Sequence, residues 1–173
     1  ADILPIFSEY AEHYKKLFSF RLSSKIKELD LLINYYIPYQ TLACRMLART
    51  GFSQSSGAYG FRDQLQDCLA IMKFDPKKAR VHILRAACHQ FPEGDVLHWW
   101  HESRSGARGV RTLCSDDYLW LPFTVAKYIK QTGDSAILDI KLPYLDSPPL
   151  KDKESERSEK PSRRHAKETL YMH

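Results

Sequence analysis

From Lys25 to Thr50 the chain reads "KIKELDLLINYYIPYQTLACRMLART", in which Ile26, Leu29, Ile33, Tyr36, Ile37 and Leu47 recur at the 3.6-residue period of an α-helix. The period returns at Phe61, Leu65, Cys68, Leu69 and Met72, and no run alternates as an amphipathic strand does. Helices that each bury one stripe must pack on other helices, so the expected fold class is all-α.

The punctuation divides the chain further. A short first helix is expected in "ADILPIFSEYAEHYKKLFSF", with Ile6, Tyr10, Tyr14 and Leu17 down one side, and the long second helix should bend at Pro38. The Ser/Gly-rich stretch from Gly51 to Gly60 reads as a loop. A helix then runs from near Tyr59 to about Phe74, and another follows, capped by Asp75 with Pro76 at its first position. "FPEGDVLHWWHESRSGARGVRT" reads as a long irregular segment, which in a compact domain points to function. Ser115 is the expected cap of a last helix, with Asp116 and Asp117 in its first turn and Gly133 ending it. "DSPPLKDKESERSEKPSRRHAKE" has almost no apolar residue and is read as a mobile linker.

Composition excludes several classes. With 43% apolar residues, 12% aromatic and 27% charged, the chain can bury a core but contains no run long and apolar enough to span a bilayer. The formal charge of +5 is scattered, which argues against a nucleic-acid face. Cys44, Cys68, Cys88 and Cys114 form no CxxC pair and read as reduced, buried thiols of a cytoplasmic protein; no secretory leader pattern stands at Ala1.

The chemistry concentrates in "GAYGFRDQLQDCLAI", residues 57 to 71. On a helical wheel Asp63 and Asp67 share one polar face beside Arg62, opposite the apolar stripe. Two readings stand: a solvated face, or a site in which fixed carboxylates accept from sugar hydroxyls while a guanidinium donates to them. His98, Trp99, Trp100 and His101 could supply stacking surface and hydrogen bonds to the same ligand, or one Trp could plug the core while the histidines face water. Asp116 and Asp117 are either helix-terminal charges or further ligands. Histidine and cysteine spacing around Cys88, His89, His98 and His101 is irregular, so no metal is expected.

Taken in order, "PYQTLACRMLARTGFSQSSGAYGFRDQLQD", "EGDVLHWWH", "GVRTLCSDDYLWLP" and "TGDSAILD" resemble the catalytic domain of the cyclic β-1,2-glucan synthase and cellobiose phosphorylase family of glycoside phosphorylases. The synthase branch is the nearer, through the full "FRDQLQD" and "HWWH" forms. The resemblance implies an (α/α)6 barrel of which this chain would hold a part: an N-terminal helical extension at 1–24, a partial barrel at 25–150, and a charged loop leading into a truncated helix at 151–173. It also implies inverting phosphorolysis, in which phosphate attacks the anomeric carbon and a single carboxylic acid protonates the leaving oxygen. By resemblance Arg62 and Asp63 hold the glucosyl unit, and Asp67 and the His98–His101 segment match further motif positions; Asp116 and Asp117 join them as candidate sugar ligands, with helix capping as their other reading. The implied ligands are a β-glucan oligosaccharide and inorganic phosphate, with no cofactor. The family's general acid lies in a Gly-x-Trp-Asn-Asp motif, and no Trp-Asn-Asp occurs in this sequence. The expectation is therefore a fragment that binds sugar without turning it over, and that self-associates through uncovered helix faces. The alternative is a non-catalytic helical module binding a carbohydrate or a protein.

Overall fold

The computed structural model describes residues 4–18, 21–47, 57–104 and 106–173. Helix α1 spans Leu4–Leu17. A continuous helical run follows, comprising α2 (Lys27–Leu31), a π-helical segment Leu32–Tyr36, α3 (Ile37–Tyr39) and a second π segment Gln40–Leu47. Pro38 sits in the middle of this run, where its missing N–H and its ring disrupt the normal ladder, and wide turns flank it on both sides. Then come β1 (Tyr59–Gly60), α4 (Phe61–Ile71), α5 (Pro76–Ala87), β2 (Val96–Ser103), β3 (Gly106–Thr112) and α6 (Ser115–Thr132). After a 3₁₀ turn at Ser135–Asp139 the chain ends with β4 (Lys141–Asp146), β5 (Glu156–Glu159) and β6 (Ser162–Thr169).

The all-α expectation is overturned. Among the described residues six strands form two antiparallel sheets, one in the order β1-β2-β3-β5 and one pairing β4 with β6. The expected partial (α/α)6 toroid therefore gives way to a mixed α/β architecture. The irregular segment after Phe91 is the β2–β3 hairpin, and the charged stretch beyond Lys151 supplies β5 and β6 in place of a linker and a helix start. The packing of Ile6, Tyr10, Tyr14 and Leu17, and the loop from Gly51 to Ser56, lie outside the described residues.

The core is built where helix and sheet meet. Helices α4, α5 and α6 pack on one another, and β2 lies against α4 and α6. Phe61, Leu65, Cys68 and Met72 of the predicted stripe are buried, together with Ile83, Phe91, Val96, Leu97, Trp100 and Ile137. Asp75 accepts from the Lys78 backbone N–H at 3.0 Å and so caps α5. Gly133, at φ 75°, donates to the Ile129 carbonyl and ends α6. The apolar row expected to lie inside the second helix is in large part exposed, with Ile26, Leu29, Tyr36, Ile37 and Leu47 facing solvent.

Gly109 shows how tightly the hairpin is drawn against its neighbour. It pairs with Trp100 across β2 and β3. A Cβ there would collide with the Trp99 carbonyl oxygen and sit 2.8 Å from the Trp100 Cβ. Gly109→Ala should therefore destabilise the chain by about 1–3 kcal/mol, the usual cost of overpacking. A urea midpoint unchanged by the substitution would refute this.

Candidate functional site

The N-terminal ends of α4 and α6 and the bulged start of β2 converge. Gly60, in extended conformation, lets the chain turn directly into α4, and the Asp63 side chain folds back over it: a Cβ on Gly60 would lie 2.8 Å from Asp63 Oδ2. A side chain there would have to displace that carboxylate.

Asp63 and Asp67 share one cation, as their common face requires. Arg45, from the second π segment, donates through Nε to Asp67 Oδ2 at 3.2 Å, and its Nη2 lies 3.8 Å from Asp63 Oδ2. The like charges that would repel on an isolated helix are thus bridged by a guanidinium. Burial nevertheless dominates at Asp67. It pushes the carboxyl up to about 6, with Asp63 adding to the rise and Arg45 opposing it.

The second half of the cluster joins α4 to α6. Arg62 Nη1 donates to Asp116 Oδ2 at 2.7 Å, across an exposed pair. The Cys114 Sγ–H donates to the other oxygen, Asp116 Oδ1, at 2.9 Å. Cys114 and Arg62 together hold Asp116 below the ordinary carboxylate range, while the bond to Asp116 holds the Cys114 thiol up. The expectation of four buried thiols is corrected: Cys68 is buried, Cys44 and Cys88 are half-buried, and Cys114 is exposed. His98 Nδ1 lies 2.6 Å from Asp117 Oδ2, and this contact raises the imidazole above its usual pKa. Asp117 itself is fully buried, with Oδ1 unpartnered.

The HWWH segment divides. His98 is the residue at the register shift between Leu97 and Trp99, so the bulge turns it toward α6. Trp100 is fully buried, stacked on His89 at 4.0 Å and on Tyr59 at 5.4 Å; it is the core plug that the sequence offered as one alternative. Trp99 and His101 stay accessible and meet edge to face at 5.8 Å. Neither bonds to the arginine–aspartate cluster among the described residues. Arg45 is the member that sequence reasoning missed. Its signal was indirect: two carboxylates on one half-buried face call for a cation, but the wheel of α4 could not say which element supplies it.

Cys114, Asp116 and Asp117 also bring donor atoms within 4.8 Å of one another. Arg62 and the protonated thiol already occupy the Asp116 oxygens, so this donor set is committed to hydrogen bonds.

Residues 13–156 match the glycosyl hydrolase 94 superfamily, catalytic domain. The chain belongs to that family. It is 48% identical over 130 residues to the cyclic β-(1,2)-glucan synthase NdvB of Rhizobium meliloti (strain 1021), a match that covers 75% of this chain and 4% of that protein. Solabiose phosphorylase of Paenibacillus borealis is 30% identical over 125 residues, covering 72% of the chain and 15% of the enzyme. N,N'-diacetylchitobiose phosphorylase of Vibrio proteolyticus is 27% identical over 173 residues, covering 84% and 22%. The chain thus spans less than a quarter of each of these relatives. All the cluster residues described above lie within the stretch that matches the glycosyl hydrolase 94 superfamily. No helix among the described residues is long and apolar enough to cross a membrane.

Proposed function

We propose that this glycosyl hydrolase 94 chain supplies the glucosyl-holding side of a cleft that performs inverting phosphorolysis, or transfer of β-glucosyl units, on a β-glucan oligosaccharide. The observation that carries this reading is the shared grip of Arg45 on Asp63 and Asp67 beside the Arg62–Asp116 pair. Three carboxylates and two guanidiniums held by one another present fixed acceptors and donors, which is what a ligand made of hydroxyls requires. Preorganised groups lose little entropy when such a ligand arrives. The relation to a β-(1,2)-glucan synthase supports a β-1,2-linked glucan, and the relation to phosphorylases supports inorganic phosphate as co-substrate.

In this reading Arg62, Asp63 and Asp67 are sugar ligands, Trp99 and His101 are an accessible stacking edge, and the general acid is none of these residues. Calorimetric titration of the chain with a β-1,2-linked gluco-oligosaccharide should give a measurable heat, and Asp63→Ala should weaken binding by about tenfold or more, since a hydrogen bond to a charged group contributes about 1.5–3 kcal/mol. Equal affinity for the two proteins would refute the assignment of Asp63. Robust release of glucose 1-phosphate by the isolated chain from β-1,2-glucan and phosphate would refute the absence of an acid.

A further inference from the structure

We infer that Asp117 is a positioning residue: from beneath β2 its carboxylate fixes His98 through Nδ1, so that the ring's other nitrogen, Nε2, is a ligand-facing donor beside Arg62. This deepens the proposed sugar-binding reading and rests on it. Three observations carry it. Asp117 is fully buried, so it cannot meet a ligand from solvent, yet it spends Oδ2 on His98 at 2.6 Å. His98 is the bulged residue of β2, and its side chain is 41% exposed, so the ring is gripped at one end and open at the other. Among the described residues Nε2 has no hydrogen-bond partner, while Nδ1 is committed.

A carboxylate on Nδ1 requires a proton there, which leaves the neutral ring with an acceptor at Nε2 and the charged ring with a donor. The groups facing the imidazole are Asp117 and Asp116 from α6, which favour its charge, and Arg62 from α4, which opposes it. The carboxylates win, and the ring stays protonated to higher pH than a free histidine. Protonated His98 with Arg62 faces Asp116 and Asp117, two charges of each sign, so this surface suits a neutral polyol better than an anion. Donation through Nε2–H to a sugar oxygen is available below the raised pKa and is lost as pH climbs through it.

The test uses the whole chain and a β-1,2-linked gluco-oligosaccharide, titrated calorimetrically between about pH 6 and pH 8.5, with imidazole NMR recorded alongside. Wild-type affinity should fall by at least about fivefold over that range, whereas His98→Gln should bind more weakly at pH 6 and show a flat profile. In Asp117→Asn the His98 resonance should titrate at lower pH than in wild type, a change that loss of packing alone would not produce. Because a substitution at a buried carboxylate can unfold the chain, His98→Gln, at a half-exposed position, carries the decision if Asp117→Asn does not fold. Sugar binding of constant strength across pH while His98 titrates overturns the role of His98 and leaves the sugar reading standing. No binding at any pH overturns both, and a His98 titration identical in wild type and a folded Asp117→Asn overturns the positioning role by itself.

Discussion

Arg111→Met should cost about 3–5 kcal/mol of stability, the penalty for leaving a buried charge without its partner. For a domain whose total is typically about 5–15 kcal/mol, that removes a large share and should appear as insoluble or largely unfolded protein. Arg111 is fully buried in β3, and each face of its guanidinium edge is used. Nη2 donates to Asp95 Oδ1 at 2.8 Å and to Glu93 Oε2 at 3.0 Å, Nε donates to Asp95 Oδ2, and Nη1 reaches the Ser147 and Pro148 carbonyls at 3.1 Å. The flat cation also lies 3.7 Å above the Phe91 ring centroid. One side chain thus ties the turn before β2, strand β3 and the segment after β4. Asp95, itself buried, would be stranded by the substitution. The double variant Arg111→Met/Asp95→Leu removes both charges and should recover part of the loss, because a buried pair replaced by apolar groups is often close to neutral. Chemical denaturation of the three proteins checks this; a single variant within about 1 kcal/mol of wild type would show that the network carries little.

Arg111 lies within "GVRTLCSDDYLWLP", and nothing in a sequence distinguishes a buried arginine from a solvated one until its partners are placed. What could be read was local. Pro76 behind Asp75 marked the start of α5, Gly133 marked the end of α6, and the stripe of Phe61, Leu65 and Cys68 located α4, since capping and helical period are short-range physics. Ser115 missed the α6 cap by one residue: it opens the helix after Cys114, and the Cys114 side chain makes no cap bond.

The strands were illegible for two separate reasons. In β2 the bulge at His98 and the burial of both Val96 and Leu97 destroy the alternation by which strands are recognised. In β5 and β6 no alternation exists to be found, since "ERSE" and "SRRHAKET" are almost wholly polar, and these strands are held by backbone pairing to β3 and β4. The candidate site was half legible. Spacing placed Asp63 and Asp67 on one face, and the ordered motifs pointed to sugar. The partners that decide the electrostatics, Arg45 for Asp67 and Asp117 for His98, come from other elements and needed the fold.

Asp67 gives the other large expected effect, a loss of stability as pH rises. An aspartate in an unfolded chain titrates near 3.9, whereas burial holds Asp67 at about 6 in the fold. Between those values the folded chain keeps a proton that the unfolded chain has released, so stability falls with rising pH through this window and the loss is complete above it. Two pH units at about 1.36 kcal/mol each set the scale at up to about 3 kcal/mol. Asp67→Asn cannot titrate there, so the stability of the variant relative to wild type should improve steadily from about pH 4 to pH 6.5 and then level off. Denaturant titrations of both proteins across that range measure the difference directly, and a difference independent of pH would show that Arg45 compensates the buried charge after all. The ion pair with Arg45 offsets this cost only in part, and a second carboxylate four residues away adds to it. In the proposed sugar-binding reading the charge has a ligand to accept from, because a hydroxyl donated to Asp67 would stabilise the ionised form and restore what folding loses. Saturation with the gluco-oligosaccharide should accordingly lower the Asp67 pKa and flatten the wild-type profile, while the Asn variant responds much less.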